Sequence, residues 1–395
     1  MRRNALRMHI ACVCRASLEI ESREQMTVQV LSHRLLALVL LCCAFAPAWA
    51  EPNTEHGAHP AGGLLLFTSA EAHRLKPDSA SRRLNEDSPL AADVVFSASH
   101  KRFRLFGEFL VSEVEHDLER LQLGYEAAPD TMVWLGRFHQ PASSWNLEHH
   151  HGRYLQTAVT RPAIELWEDE HGILPQHLVG VLFESRQPLG EEMGLRYALG
   201  AGLGVTVERN GLEPIDLLKA QRASRQVSWS GRLAYLPQDL GSTQFGILAA
   251  RHQTPVADSV AASAFGAAQV RQDVAGVFAD WQPDLWRVAG TLYDVNVTLA
   301  DGASTRREHF LLSYLQLERQ MPYGLTAYAR REDSHKANIS TYVATVSPNF
   351  VLRRTLMGLR WDWMRHQALT VEFGRGVTSR ARQSDVRLLW SAIFP

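Results

Sequence analysis

Apolar and polar residues alternate with a period of two along most of the chain after residue 90. From Leu195 to Val205 every second residue is apolar, and the residues between are small or charged. The same alternation marks Val227–Tyr235, Met357–Trp363 and Val386–Phe394. Because successive side chains of a β-strand point to opposite faces, these segments are predicted to be strands with one apolar face.

The length of these segments and their aromatic ends favour strands that cross a lipid bilayer over strands of a soluble sandwich. Many run to about ten residues or more, which a tilted strand needs to span the hydrocarbon core. Aromatic residues cluster at predicted strand ends, as interfacial girdles do. They are Tyr235, Trp281, Trp286, Tyr323, Trp361, Trp363, Trp390 and Phe394.

The connections between predicted strands alternate in length. Strands are predicted at 91–99, 102–112, 118–126, 131–138, 177–185, 194–207, 226–236, 241–251, 266–280, 284–297, 306–318, 322–332, 352–364, 367–376 and 384–394. Mostly short connections lie at 100–101, 127–130, 186–193, 237–240, 281–283, 319–321 and 365–366, and mostly longer ones at 139–176, 208–225, 252–265, 298–305, 333–351 and 377–383. Short turns that alternate with longer external loops are typical of bacterial outer-membrane barrels.

Fifteen strands are predicted above, and this odd number predicts one more strand near the start of the barrel. Single-chain bacterial barrels have even strand numbers, and the apolar stretch Gly62–Ser69, followed by an external loop at about 70–90, supplies the missing one. The predicted fold is all-β: a transmembrane, antiparallel, up-and-down β-barrel of about 16 strands, with 14 left open. A barrel of about 16 strands encloses a water-filled lumen.

The first fifty residues are predicted to be a signal peptide, and residues 51–395 the barrel domain. The apolar run Leu35–Phe45 is too short to cross a bilayer, and Ala48-Trp49-Ala50 forms a cleavage site before Glu51. Met26 is a plausible true start. All four cysteines lie in residues 1–50, so the exported part is not a disulfide-stapled fold.

Composition and motifs exclude several other classes of protein. A formal net charge of -1 with 21% charged residues gives no basic surface for nucleic acid. No later stretch is apolar enough for a transmembrane helix. Nucleophile-elbow, zinc-protease and phosphate-loop motifs do not occur, so we predict no enzymatic activity and no cofactor.

One long segment breaks the strand pattern and carries a family resemblance. It runs from Gly136 through Trp145, the histidines 149–151 and Arg161-Pro162 to Pro175, and it is predicted to be a long third external loop. This segment, the alternating strand segments Leu356–Asp362 and Ala368–Gly374, and the strand number give the chain a resemblance to bacterial porins. It resembles general and phosphate-selective porins and porin-like proteins of Gram-negative bacteria. The resemblance implies an outer-membrane channel in which residues 139–176 fold inward and narrow the lumen.

Charged residues of this loop and of the wall are the candidate determinants of selectivity. In a narrow lumen, charge and size set which solutes pass. The candidate constriction residues are His139, Glu148, His149, His150, His151, Arg153, Glu168, Asp169, Glu170 and His171. The candidate wall residues are Arg196, Arg232, Arg287, Arg330 and Arg360. Loop acids opposite wall arginines would create a transverse field; alternatively, the loop acids face external water.

A run of histidines raises the question of a metal site. His149, His150 and His151 carry imidazoles, which bind zinc or copper. Three consecutive side chains diverge in a regular strand or helix, so they cannot all reach one ion. His139 and His171 are the additional ligands if a site exists.

The preferred functional hypothesis is passive diffusion of small polar solutes or ions across the outer membrane. A barrel whose lumen is filled by the long loop, acting as a structural or metal-binding surface protein, is the first alternative. The second alternative is an outer-membrane hydrolase, which substitution of Ser143 and Ser144 in an activity screen would test. The expected partners are outer-membrane lipid, small polar solutes, other copies in a homotrimer, and the barrel-assembly machinery. The machinery would recognise the last strand, although Pro395 follows the terminal aromatic Phe394.

Overall fold

The chain folds into a closed barrel of sixteen antiparallel strands. Each strand pairs with the barrel strands before and after it in the sequence, and the last strand pairs with the first. The computed structural model describes residues 61–77, 90–113, 116–149, 152–166, 168, 172–208, 211–218, 224–239, 241–257, 262–263, 265–301 and 304–395. The predicted signal peptide and the alternative start lie outside these ranges and remain predictions.

The barrel strands have the following bounds. They are β1 Ala61–Pro77, β2 Leu90–His100, β3 Phe103–Ser112, β4 His116–Ala128, β5 Thr131–His139, β6 His177–Leu189, β7 Met193–Leu203, β10 Val227–Leu236, β11 Gln244–Pro255, β12 Gln269–Trp281, β13 Trp286–Ala300, β14 Thr305–Met321, β15 Leu325–His335, β16 Val351–Met364, β17 Gln367–Thr378 and β18 Arg382–Phe394. A separate small hairpin consists of β8 Thr206–Glu208 and β9 Gly211–Glu213.

The predicted barrel class and the larger of the two predicted strand counts are confirmed. The strand added on parity grounds, at 62–69, is β1, and its register with β18 runs from Leu66–Phe394 to Pro77–Gln383 and closes the ring. β1 continues to Pro77, so the predicted external loop at 70–90 was placed too early. Bounds elsewhere differ by a few residues from those predicted.

One predicted strand, 194–207, is divided in the structure. β7 ends at Leu203, and the residues from Thr206 onward pair with β9 instead of continuing in the barrel wall. The amide of Gly204 donates to the carbonyl of Gln226, which ends the pairing between β7 and β10. Alternation alone could not show this division, because both pieces have the same period.

The barrel has one end with short connections and one end with longer ones. The short-connection end, here called the turn end, consists of residues 101–102, 129–130, 190–192, 237–243, 282–285, 322–324 and 365–366. Lys101, Asp130, Asp284, Tyr323 and His366 there have positive φ, which two- to four-residue hairpin turns require. The opposite end, here called the loop end, includes residues 140–176, 204–226, 256–268 and 336–350.

Near the turn end the wall is apolar outside and polar inside. On β14, which ends at the turn 322–324, Leu315 is 59% and Leu317 44% exposed, whereas the neighbouring Gln316 and Glu318 are buried. Trp281 and Trp286 are exposed at this end, and so are other predicted girdle residues, Tyr235, Tyr323, Trp361 and Trp363. An apolar exterior bounded by aromatic residues is the surface that a barrel presents to lipid.

Toward the loop end the polarity of three neighbouring strands is reversed. On β13, Val295 and Val297 are buried on the inner side, whereas Asn296 between them is exposed on the outer side. The same change occurs on β12, where Val270 is buried and Arg271 exposed, and on β14, where Phe310 is buried and His309 exposed. This part of the wall therefore has the polarity of a water-soluble protein and extends beyond the lipid-facing band.

Helices contribute little to the described structure. α1 spans Ser144–His149 and α2 spans Thr341–Val346, and both lie in connections at the loop end. Neither is long and apolar enough to cross a membrane, nor is any other helix among the described residues.

Candidate functional site: the segment inside the barrel

The described residues between 140 and 176, here called the lumen segment, leave the wall after β5, cross the interior and return to the wall at β6. The segment contains α1 and two single helical turns, Arg153–Leu155 and Ala163–Glu165. Its described side chains and amides bond to strands on the opposite side of the ring, including β15, β16 and β17. The interior therefore contains a folded chain segment held by the wall.

Local sequence features give the lumen segment its shape. The hydroxyl of Ser143 accepts from the amide of Asn146 at 3.2 Å and so caps the first turn of α1. Gly152 has φ 69°, a left-handed conformation that favours glycine. A Cβ at Gly152 would lie 2.2 Å from Cγ of Phe67 on β1, so only glycine allows this close approach.

Glu372 on β17 holds the middle of the lumen segment. Its carboxylate accepts from the amide of Val159 at 3.0 Å and from the amide of Thr160 at 3.2 Å. The hydroxyl of Tyr328 on β15 donates to the same carboxylate at 2.9 Å. Glu372 is 1% exposed, so these bonds satisfy a charge that burial would otherwise disfavour.

A buried group of charged residues on β15 and β16 holds the next part of the segment. Glu332 accepts from the amide of Ala163 at 2.9 Å and pairs with Arg330 at 2.9 Å. Arg354 pairs with the same carboxylate at 2.9 Å and donates to the carbonyl of Arg161 at 2.6 Å. Arg330 also donates to the carbonyl of Thr160.

A third anchor fixes the single turn that follows Gly152. Arg360 on β16 donates to the carbonyls of Tyr154 and Gln156, at 2.7 and 2.5 Å. Arg153 itself pairs with Glu71 on β1. Because Glu71 also pairs with Arg387 on β18 at 2.9 Å, this anchor lies across the closing seam of the barrel.

The α1 end of the segment contacts the strands from β10 to β13. Glu148 pairs with Arg232 on β10 at 3.2 Å. Nε2 of His149 accepts from Arg287 on β13 at 3.0 Å, and Arg287 is itself paired with Asp280. Burial, and then the Arg287 cation, lower the pKa of His149 against the opposing effects of Glu148 and Asp280.

An apolar cluster fills the loop end of the interior. Ile164, Ile173 and Leu174 of the lumen segment belong to one buried cluster with the inner face of β12–β14. The connections 204–226, 256–268 and 336–350 contribute further members to it, namely Val205, Val207, Leu212, Phe265, Tyr342, Val343, Val346 and Phe350. The lumen segment is thus held by charged groups at some levels of the barrel and by hydrophobic packing at another.

Comparison with solved structures places this architecture among bacterial porins. An anion-selective porin from Comamonas acidovorans is 11% identical, with a TM-score of 0.54, and covers 85% of this chain and 100% of its own. Salmonella typhi OmpF, solved in complex with daunomycin, is 12% identical, with a TM-score of 0.53 and coverage of 83% and 97%. OmpT, an outer membrane protein of Vibrio cholerae, is 8% identical, with a TM-score of 0.53 and coverage of 87% and 100%.

This chain has the porin fold. No protein-family model matches its sequence, and no curated protein matches it at a significant level. At such low identity the likeness concerns the path of the backbone, so the chemistry of the lumen has to be argued from the chain's own residues. The porin fold and the lipid-facing exterior together are the architecture of a Gram-negative outer-membrane protein.

The porin barrel places four of the five predicted wall arginines on inner positions, where Arg232, Arg330 and Arg360 are buried and Arg287 is partly buried. Arg232, Arg287, Arg330 and Arg360 all contact the lumen segment or its anchors. Arg196 shares the strand phase of the buried Ala198, but its side chain is exposed. Their role in selectivity remains a prediction.

The predicted constriction residues are distributed among different environments. Glu148, His149 and Arg153 face wall residues, as described above. His139 and Glu168 instead lie in a buried group with Glu119 and His177, where the lumen segment leaves and rejoins the wall. The other members, His150, His151, Asp169, Glu170 and His171, lie outside the described residues.

The acidic residues of the wall were not among the residues predicted from the sequence. Glu71, Glu318, Glu332 and Glu372 accept hydrogen bonds from the lumen segment, yet only arginines were proposed for the wall. The wall therefore carries carboxylates in addition to the predicted arginines, and Glu148–Arg232 is a pair of the predicted kind, a loop acid opposite a wall arginine. The available signal was a carboxylate in the polar phase of a strand, as at Glu372 between Val371 and Phe373.

Ser143 and Ser144 have structural partners. Ser143 donates to Glu165 at 2.8 Å, and Ser144 lies 3.2 Å from the hydroxyl of Thr291. Within the described part of the porin barrel, neither hydroxyl is hydrogen-bonded to a histidine, the partner that would activate a serine nucleophile.

We expect acidification to loosen α1 through His149. Because its pKa is lowered in the folded state, His149 contributes stability above the ordinary histidine pKa of about 6.5, and this is lost as the pH falls. Protonated Nε2 can no longer accept from Arg287 and is repelled by it. The protection factors of the α1 amides, which are exchange rates corrected for the intrinsic pH dependence, should therefore fall between neutral pH and pH 5 (about 1.5 units below the ordinary pKa). In His149→Gln this fall should be absent; an identical pH profile of protection in both proteins would contradict the assignment.

Proposed function

We propose that the protein is an outer-membrane channel through which small polar solutes or ions diffuse passively. The observation that carries the proposal is a lumen segment bound by charged side chains of the surrounding wall, within a barrel whose exterior suits lipid. A segment fixed in this way narrows a sixteen-strand lumen without needing a separate domain. The charged groups that stay partly exposed, Glu148, Arg153 and Arg287, would face a passing solute and select it by size and polarity.

Export and assembly complete the proposal. Residues 1–50 direct the chain across the inner membrane, and the β18 strand ending in Phe394 is the element recognised by the barrel-assembly machinery. In the membrane the barrel contacts lipid through its apolar exterior, and several copies associate as a homotrimer. Cross-linking in native outer membranes measures the copy number directly, and a monomer there would contradict this part.

Planar-bilayer recording tests the channel function. Purified, refolded protein should give stepwise conductance increments, and reversal potentials in a salt gradient should report its ion preference. Protein that is folded, as shown by heat-modifiable electrophoretic mobility, and yet silent at all voltages would contradict a passive channel.

A second function is favoured by the apolar cluster at the loop end. Ile173 and Leu174 of the lumen segment, with Tyr342 and Val343 of another connection, cover the inner face of β12–β14. Such packing is typical of a core and suits a barrel whose lumen is filled, as in a structural surface protein. The deletion described in the Discussion distinguishes this from a narrowed channel.

We expect Glu372→Gln to loosen the lumen segment without unfolding the barrel. The neutral amide cannot accept all the bonds now made by the amides of Val159 and Thr160 and the hydroxyl of Tyr328. Loss of charge-assisted hydrogen bonds in a buried site costs about 1.5–3 kcal/mol. Current noise in the open channel should rise.

The matched control for this variant is Glu126→Gln. Glu126 is partly exposed and pairs with Arg104 at 3.0 Å on the barrel wall, and such a pair contributes about 0–1 kcal/mol. Equal noise in the two variants would show that Glu372 does not hold the segment.

A further inference from the structure

A buried group of two histidines and a glutamate lies where the lumen segment is attached to the wall. His139 is the last residue of β5 and His177 the first of β6, and the two are direct partners in the strand register. Glu119 lies on the neighbouring strand, β4, at a β-bulge where 118 and 119 stand opposite the single residue 109. Bulges re-aim side chains and are frequent next to functional sites. The three side chains are almost fully buried.

The ligand atoms of these residues are close enough to share one ion. One ligand atom from each of Glu119, His139 and His177 lies within 4.8 Å of the others. Nε2 of His177 is 3.0 Å from Oε2 of Glu119, and Nε2 of His139 is 4.0 Å from the same oxygen. Tetrahedral ligands at zinc distances are about 3.3 Å apart, so small movements complete the geometry.

The second nitrogen of His177 is held by a carboxylate, as it is in many metal sites. Oε1 of Glu168 lies 2.5 Å from Nδ1 of His177. Glu168 is itself fixed by the amides of Gln176 at 2.7 Å and His177 at 3.1 Å. A carboxylate on the far nitrogen sets the tautomer and orientation of a metal-bound histidine, leaving Nε2 for the ion.

The charges around the group also suit a cation. Arg137 on β5 is paired with Asp117 at 2.7 Å and donates to the carbonyl of Ile215 at 3.1 Å. The carboxylate it is paired with therefore lies outside the group. Glu119 and Glu168 are the two carboxylates that a divalent ion in the group would neutralise.

We propose that Glu119, His139 and His177 form a binding site for a divalent transition-metal ion of the zinc class, with Glu168 as the positioning residue. Two imidazoles and one carboxylate are a ligand set that zinc accepts, with water as the fourth ligand. The site goes beyond the channel function and does not depend on it. Because it joins β4, the end of β5 and the start of β6, a bound ion would fix both ends of the lumen segment. Of the histidines that the sequence suggested as metal ligands, the site includes His139 but not the run 149–151.

Zinc titration of untagged, refolded protein stripped with a chelator tests the site. Isothermal calorimetry should show one zinc ion bound per chain, and magnesium should not compete. The cobalt-loaded protein should show the visible absorption of a four-coordinate nitrogen and oxygen site. Folded wild-type protein that binds no zinc, or whose X-ray absorption shows no imidazole ligands, would overturn the proposal.

Substitutions locate the ion. Glu119→Gln and His177→Gln should each weaken zinc binding at least tenfold, and Glu168→Gln should weaken it about 10- to 100-fold as the loss of an outer partner does. His309→Gln, at an exposed histidine paired with Asp294, is the matched control and should leave affinity unchanged. Replacement of His150 and His151 together should also leave the affinity unchanged. If that double replacement abolished zinc binding while Glu119→Gln retained it, the ion would be bound by His150 and His151, and the proposed site would be refuted. Heat-modifiable mobility confirms that each variant is folded.

Discussion

Replacing residues 141–172 by a short glycine-serine linker is expected to raise single-channel conductance several-fold. The lumen segment is bonded to the wall at Glu372, Glu332 and Arg360, so in the intact protein it occupies the cross-section at those levels. A sixteen-strand barrel without such a segment has a wide aqueous lumen. Planar-bilayer recordings and liposome swelling measure the change.

The conductance of the wild-type protein decides between the two proposed functions. If wild-type protein conducts and the deletion conducts more, the segment is a constriction in an open channel. If wild-type protein is silent and only the deletion conducts, the segment is a plug, and the filled-barrel alternative holds. Unchanged conductance would contradict both, because the segment would then not limit passage.

A matched insertion controls for the linker itself. The same linker placed between Asp301 and Ser304, in a short connection at the loop end, alters a connection of the same end without removing anything from the lumen. Its conductance should equal that of the wild type. The apolar inner face of β12–β14 stays partly covered in the deletion by the connections 204–226, 256–268 and 336–350.

The strands could be predicted from sequence because the barrel imposes a local rule. Lipid outside and water or polar groups inside force a period of two, and closure by antiparallel pairing of the last strand with the first requires an even count. β1 was found by that count, since its own apolar stretch is short. The rule fails where the environment changes, as beyond Leu203, where the chain leaves the wall while its alternation continues.

The interior arrangement could not be predicted in the same way, because its bonds join residues far apart in the chain. Glu372 holds amides 212 and 213 positions earlier, and nothing in the sequence around Val159 indicates that partner. The same limit applies to the metal-ligand group. His139 was noticed as a loop histidine, but Glu119 belongs to another strand and reaches the group through a bulge that local alternation does not reveal.

The reversal of polarity along β12–β14 gives the sharpest test of where lipid contacts the barrel. Ile247 on β11 is 58% exposed, and its register partners Leu233 and Val277 are exposed as well. Asn296 on β13 is also exposed on the outer side, but it lies in the polar part near the loop end, next to Asp294. The first position is assigned to lipid and the second to water.

The same substitution at the two positions should therefore have very different effects. Ile247→Arg is expected to destabilise the folded barrel in bilayers by about 2–4 kcal/mol, because arginine at the midplane must be drawn into hydrocarbon, whereas at the membrane interface or beyond the cost falls to about 0–1 kcal/mol. Asn296→Arg should thus be close to neutral. Equilibrium unfolding in phospholipid vesicles measures both, and Ile247→Met controls for the loss of the native side chain. Equal stabilities for the two arginine variants would mean that the apolar band around Ile247 does not face lipid, and the assignment of this barrel to a membrane would fail with it.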